Sequence, residues 1–363
     1  MSQPQSISLL PVPTAIGISP LNDSTIVCLK APLWISKSKA LLEGHRQIVE
    51  TALECRGDLL FFRCHEAPFV YGSARRRMKL LAGQTVLLTG ASGGLGTFMT
   101  HDLAGRGLKL ALVAHPGVDL EALRKAVEKR GGRAVAYPSD LRDPAQRRKL
   151  LQEVREQFGP IDVLVNNAGV EFTSAYHELT EDHIYEILRV NLEAPLILTR
   201  LLLPEMLERK HGHIVNISSL AGKSGPAFQE SYAATKAALV AFTSSLRATY
   251  RGTGVSASVV VPGFVEAGIY AHLKEQSGCS APAVLGTSQP ETVARAVMSA
   301  IECDRFEVIV NPLPVRPLLA FNALFPSLGE WLTDKLGTND FFRRVVARLE
   351  RGKLATSGKL SAP

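Results

Sequence analysis

Tyr232 and Lys236 stand four residues apart in Tyr-Ala-Ala-Thr-Lys, so on a helix the phenol and the amine share one face. A second cluster, Thr85 to Gly96, reads T-V-L-L-T-G-A-S-G-G-L-G. Its β-branched and apolar start leads into Gly90, Gly94 and Gly96 and then into a helical pattern with Phe98 and Leu103. The chemistry open to such a turn is phosphate binding. Glycines let the backbone turn sharply and approach a pyrophosphate, whose charge then sits at a helix N-terminus. The spacing G-x-x-x-G-x-G is one residue off the commoner G-x-G-x-x-G, and a plain tight turn before a helix is the bland alternative. Three more segments put distinctive residues where an apolar run stops: Asn166-Asn167-Ala168-Gly169, Ser218-Ser219 and Pro262-Gly263.

Strands must hold these segments. Apolar runs predict strands at Thr85–Leu88, Lys109–Ala114, Ala134–Tyr137, Ile161–Val165, His213–Ile217, Val255–Val261 and Glu307–Val310. Helical patterns lie between them at Leu120–Arg130, Pro144–Phe158, Glu181–Lys210, Tyr232–Arg251 and Glu291–Glu302. This alternation predicts an α/β fold, a doubly wound Rossmann-type parallel sheet of about seven strands with helices on both faces. Ligand then sits at the carboxyl ends of the strands. Residues 1–80 read as an N-terminal β-α-β extension (strand Thr25–Leu29, helix from about Ser36 to Cys55, strand Asp58–Phe62) packed on the core. Residues 81–311 read as the dinucleotide-binding catalytic domain, and 312–363 as an apolar, then basic, C-terminal extension.

Taken together, T-G-x-x-x-G-x-G, N-N-A-G, a serine thirteen positions before Y-x-x-x-K, and P-G resemble the short-chain dehydrogenase/reductase family in its compact form. The resemblance covers about Gly83 to Asn311. It implies a catalytic tetrad of Asn191, Ser219, Tyr232 and Lys236, with Ser218 structural. It also implies that Gly90, Ser92, Gly94, Leu95, Gly96, Asp140, Leu141, Asn167, Ala168, Gly169, Pro262, Gly263 and Val265 join Tyr232 and Lys236 around the cofactor. Asp140 falls where relatives bond the adenine amino group. A phenol ordinarily loses its proton near pH 10, and a neighbouring ammonium lowers that value. Ser219 can hold a substrate oxygen as charge develops on it. A ketone–alcohol oxidoreductase follows, with Tyr232 as general acid/base; a non-catalytic cofactor sensor or scaffold of the same fold is the alternative.

NAD-preferring relatives place an acidic residue where Ala114 stands, and NADP-preferring ones an arginine where this chain has His115. NADP(H) is therefore favoured over NAD(H), with His115 on the 2′-phosphate. One departure concerns the threonine that the family commonly places after P-G-x-V-x, for which this chain has Ala267.

The net charge of +7 and pI near 9.2 suit anionic cofactors or an acidic surface. No nucleic-acid motif occurs. The five scattered cysteines show no C-x-x-C spacing, which argues for a reducing compartment and against a metal site. No signal peptide or spanning segment is expected, so a cytoplasmic location, with or without membrane association, is anticipated. Phe264 to Gln289 should form a variable loop over the site, with Phe264, Ile269, Tyr270, Leu273 and Val284. Pro312 to Leu332 is strongly apolar but broken by Arg316, Pro317 and Pro326. It reads as a tail on the core or on a dimer partner, or as a substrate lid or peripheral membrane contact aided by Arg343, Arg344, Arg348 and Arg351. The partner expected is a small hydrophobic molecule, steroid-, lipid- or polyketide-like. The resemblance adds a homodimer or homotetramer.

Overall fold

The computed structural model describes residues 82–359, with side chains through Arg351. The β-α-β unit expected within residues 1–80 lies outside the described residues. Seven strands pair in parallel: β1 (Thr85–Thr89), β2 (Lys109–Ala114), β3 (Arg133–Pro138), β4 (Val163–Asn166), β5 (Gly212–Ile217), β6 (Val255–Pro262) and β7 (Glu307–Val310). Their order is β3-β2-β1-β4-β5-β6-β7. Between them run α1 (Gly94–Ala104), α2 (Glu121–Lys129), α3 (Pro144–Phe158), α4 (Glu181–Leu188), α5 (Ala194–Glu208), α6 (Glu230–Thr249), α7 (Gly268–Ser277) and α8 (Pro290–Glu302).

Alternation along β1 sends Val86 and Leu88 to one face and Leu87 to the other. Val86 and Leu88 pack with Met99 and Leu103 of α1 and with Val293 and Val297 of α8. Leu87 packs with Leu151 and Val154 of α3 and with Leu198 and Leu202 of α5. Both faces are covered, which is why the strands read as continuous apolar runs. The strand order reverses between β1 and β4, opening a crevice at their carboxyl ends.

The helix expected from Glu181 to Lys210 is interrupted, because Arg189–Glu193 forms a π turn. Pro195 has no N–H to give the carbonyl of Asn191 four residues earlier, so the α ladder lacks that bond. Buried Arg147 of α3 pairs with Glu193 and anchors the turn.

The stretch expected as a loop over the site contains α7, which ends at Gly278 in the left-handed conformation, φ 62°. Beyond β7 the chain folds into α9 (Arg316–Leu324), α10 (Pro326–Lys335) and α11 (Thr338–Lys359). Pro317 and Pro326 do not break these helices. Each sits in a first turn, where a missing N–H removes no bond. Phe341, Phe342 and Val345 of α11 join Tyr270 and Leu273 of α7 in a third core. The C-terminal segment thus packs on this chain's own core, with the Phe341 ring 5.2 Å from that of Phe264.

Candidate active site

The β1–α1 turn is fixed by close backbone approach. Gly90 has φ 64°, and a Cβ there would lie 2.8 Å from the Cα of Ala168. Asn167 closes the turn from β4, its Nδ2 donating to the carbonyls of Thr89 and Gly90 at 3.0 Å each. Helix α1 begins after Gly93 without a side-chain cap. Its first N–H groups therefore suit an anion better than they suit the protein itself.

A single cleft is lined by Gly90, Gly94, Leu95, Asn167, Ala168, Gly169, Tyr232, Lys236, Pro262, Gly263 and Val265. The other predicted residues stand apart from its walls. Gly96 is buried against the Gly90 carbonyl, and Ser92 is exposed. The side chain of Leu141 packs in the core with Tyr137 and Leu150. His115 and Asp140 meet beyond the ends of β2 and β3, with His115 Nε2 3.9 Å from the Asp140 carboxylate. An uncapped helix start over a glycine turn, opening into a cleft that ends at Tyr232 and Lys236, fits a nicotinamide dinucleotide.

The four residues expected as a tetrad lie on three elements. Ser219 follows β5 and accepts a hydrogen bond from the Ala221 N–H at 3.1 Å. It also hydrogen-bonds with Tyr232 of α6. The Ser218 hydroxyl instead donates to the carbonyl of Lys236 at 2.7 Å, a structural bond. Lys236 Nζ donates to the carbonyl of Ile217 at 3.0 Å and lies 5.4 Å from the centre of the Tyr232 ring. Asn191 is fully buried in the π turn. Its Oδ1 accepts from the Val170 N–H and its Nδ2 donates to the Val170 carbonyl, both at 2.8 Å. A methyl on Gly169 would lie 3.4 Å from Asn191 Oδ1 and 3.5 Å from Lys236 Nζ, so both polar groups face one point above that glycine.

Burial dominates the electrostatics. It pushes the Tyr232 phenol above its ordinary value, while the hydrogen bond with Ser219 works the other way. It lowers the Lys236 ammonium to about 8.

Two groups escaped the sequence reading. Glu171, two residues past Gly169, is raised to about 7 by burial, against the hydrogen bonds it accepts from Thr173 and from Gln229 Nε2, the latter at 2.8 Å. No spacing signal marks it, because Gln229 reaches it from a distant part of the chain. Arg142 grips Asp140 through Nε and Nη2, and its Nη2 lies 3.3 Å from His115 Nε2. The guanidinium holds the Asp140 carboxyl below the usual carboxylate range. Its place two residues after Asp140 was visible, but its reach to His115 depends on how β2 and β3 pair.

A second, mostly apolar pocket adjoins the cleft and shares Ser219, Tyr232, Gly263, Ile269 and Tyr270 with it. Its other walls include Gln229, Phe264 and Leu273, with Leu318 and Leu319 of α9, Thr333 of α10 and Phe342 of α11. Among the described residues no group of three or more His, Cys, Asp or Glu is placed to hold a metal ion. No described helix is long and apolar enough to cross a membrane.

The fold and this site define a dinucleotide-dependent oxidoreductase. Residues 84–278 match the short chain dehydrogenase family, and the chain belongs to it. The ketoacyl reductase HetN of Nostoc sp. (strain PCC 7120) is 40% identical over 290 residues, 78% of this chain and 100% of that protein. A metagenomic short-chain oxidoreductase solved in complex with NADP is 31% identical with a TM-score of 0.55, covering 64% of this chain and 99% of its own. A short-chain dehydrogenase from Sphingobium yanoikuyae solved with NADPH is 26% identical with a TM-score of 0.58, covering 69% of this chain and 96% of its own. The protein is an NAD(P)-dependent enzyme acting on CH–OH groups.

Proposed function

We propose that the enzyme is an NADPH-dependent ketoreductase for a hydrophobic, steroid-, lipid- or polyketide-like ketone. The observation that carries this reading is the junction of the dinucleotide cleft and the apolar pocket at Ser219 and Tyr232. When bound, the nicotinamide supplies the hydride to the carbonyl carbon. Ser219 holds the carbonyl oxygen, and Tyr232 gives that oxygen its phenolic proton. Lys236 stabilises the phenolate that remains, and with Asn191 it leads a replacement proton in from the Gly169 side. Alcohol oxidation reverses each transfer.

Gly90, Gly94 and Leu95 would hold the pyrophosphate, and Asn167, Ala168 and Gly169 the adenosine side. Pro262, Gly263 and Val265 would flank the nicotinamide, with backbone groups serving where Ala267 offers no hydroxyl. Three observations favour NADPH: Ala114 leaves no carboxylate to repel a 2′-phosphate, His115 and Arg142 stand together beyond β2, and the two solved relatives hold NADP and NADPH. The ketoacyl reductase relative favours a long acyl ketone among the hydrophobic candidates. A homodimer or homotetramer through the helices carrying Asn191 and Tyr232, and a peripheral membrane contact through the C-terminal segment, complete the reading.

Fluorescence titration of wild type and His115→Asp with NADPH and NADH tests the cofactor assignment. Tighter NADPH binding by wild type, reversed in the variant, is expected; tighter NADH binding by wild type overturns it. A panel of hydrophobic ketones, against small polar sugars, tests the substrate class. Cofactor binding with no turnover of any of them would favour the sensor or scaffold reading.

A further inference from the structure

Helices α9 and α10 form a wall with two apolar sides. Leu318, Leu319 and Thr333 face the substrate pocket. At the corner between the helices, Leu324, Phe325, Leu328 and Trp331 are 73, 55, 50 and 56% exposed. Hydrophobic side chains scattered singly over a surface need no explanation, but four large ones within residues 324–331 do. The corner is a built feature. Asn322 Nδ2 of α9 donates to Thr333 Oγ1 of α10 at 3.3 Å, and Gly329 lets α10 approach Asn322 closely. The Phe321 and Phe325 rings lie 5.3 Å apart at its base.

Charge and side-chain type identify the occupant. Residues 312–363 carry eight Lys or Arg against four Asp or Glu, on a chain of net charge +7. Arg316, Arg343, Arg344 and Arg348 are exposed. A basic segment bearing an exposed tryptophan, phenylalanine and leucines matches the interface of an anionic bilayer. No described helix is fit to span, so the contact is with one leaflet.

We propose that the α9–α10 corner inserts into an anionic membrane surface and seats the substrate pocket against it, so that a lipid-dissolved ketone enters from the bilayer. The delivery half of this proposal rests on the hydrophobic-ketoreductase reading; the anchoring half does not.

The test compares the full chain with a Leu328→Glu/Trp331→Glu variant, whose altered residues line neither cavity. Co-sedimentation uses phosphatidylcholine vesicles with and without about one-third phosphatidylglycerol. Wild type should bind the anionic vesicles, less as salt rises, and the variant should bind at least about tenfold more weakly. Reduction of a small water-soluble ketone should be unchanged in the variant, while reduction of a vesicle-dissolved ketone falls with binding. Absence of vesicle binding by wild type, or equal binding by the variant, overturns the proposal. Gel filtration showing that the variant splits an oligomer would assign the corner to an interface between copies and overturn it as well. Vesicle binding that the variant loses, without turnover of any ketone, would keep the anchor and remove the ketoreductase reading.

Discussion

Replacing Asn191 with alanine isolates what the π turn contributes. The Asn191 amide is matched to one backbone unit, accepting from the Val170 N–H and donating to its carbonyl at 2.8 Å each. Alanine strands both Val170 groups. An unsatisfied buried polar group costs about 1–3 kcal/mol. Val170 is only half-buried, so water recovers part of this, and the pair should cost roughly 2–4 kcal/mol in all. In a chain of this size that lowers the melting temperature by roughly 3–7 °C, readable by circular dichroism. NADPH binding, followed by fluorescence, should weaken too, because Gly169 next to Val170 lines the cleft. Asn191→Asp should be no better than alanine. It keeps the acceptor but loses the donor and sets a charge against a carbonyl oxygen. A wild-type melting temperature for Asn191→Ala would refute the reasoning, since Val170 would then not depend on this side chain.

Tyr232→Phe should bind NADPH as wild type does and lose roughly 10²–10⁴-fold in kcat, measured by NADPH consumption with a hydrophobic ketone. For Lys236, kcat/KM for ketone reduction should fall as pH rises past about 8, where the buried ammonium gives up its proton, and Lys236→Met should abolish that limb. Glu171 has a folded pKa raised from its ordinary 4.5 to about 7, so its contribution to stability is fully present below about 4.5 and lost as pH rises to about 7. Glu171→Gln should therefore gain on wild type by roughly 3 kcal/mol at pH 8 in denaturant titrations, and by nothing at pH 4. Phe341→Ala should cost about 3–5 kcal/mol in the same titrations, because its fully buried ring joins α11 to Phe264 and Tyr270.

The sheet was legible because its strands are buried on both faces, so that Leu110 to Val113 or Val259 to Val261 could be little else. The candidate site residues were legible through the family resemblance that their types and spacings carry, and strand ends and a helix face bring Ser219, Tyr232 and Lys236 to one cleft. What stayed hidden depends on distant partners. The π turn at Asn191 follows from a proline that reads equally well as a helix start, and it is held by Arg147 from another helix. Pro317 and Pro326 read as breakers because a proline signals its helix position only once the helix start is known. Glu171 matters through Gln229, more than fifty residues away, a contact no local pattern encodes.

Burial bears on how Tyr232 and Lys236 act together. Taken singly, each resists its working charge: burial holds the phenol neutral and pulls the ammonium down to about 8. Charged together they support one another. Lys236 Nζ lies 5.4 Å from the centre of the Tyr232 ring, so an ammonium there stands close to a phenolate and offsets part of the desolvation. Attraction between opposite charges is roughly four times stronger at an effective dielectric of about 20 than in water. Burial therefore makes the isolated phenolate costly and strengthens its pairing with the ammonium. On the proposed mechanism the proton leaves Tyr232 readily only while Lys236 is charged beside it, so removing either side chain should disable the other.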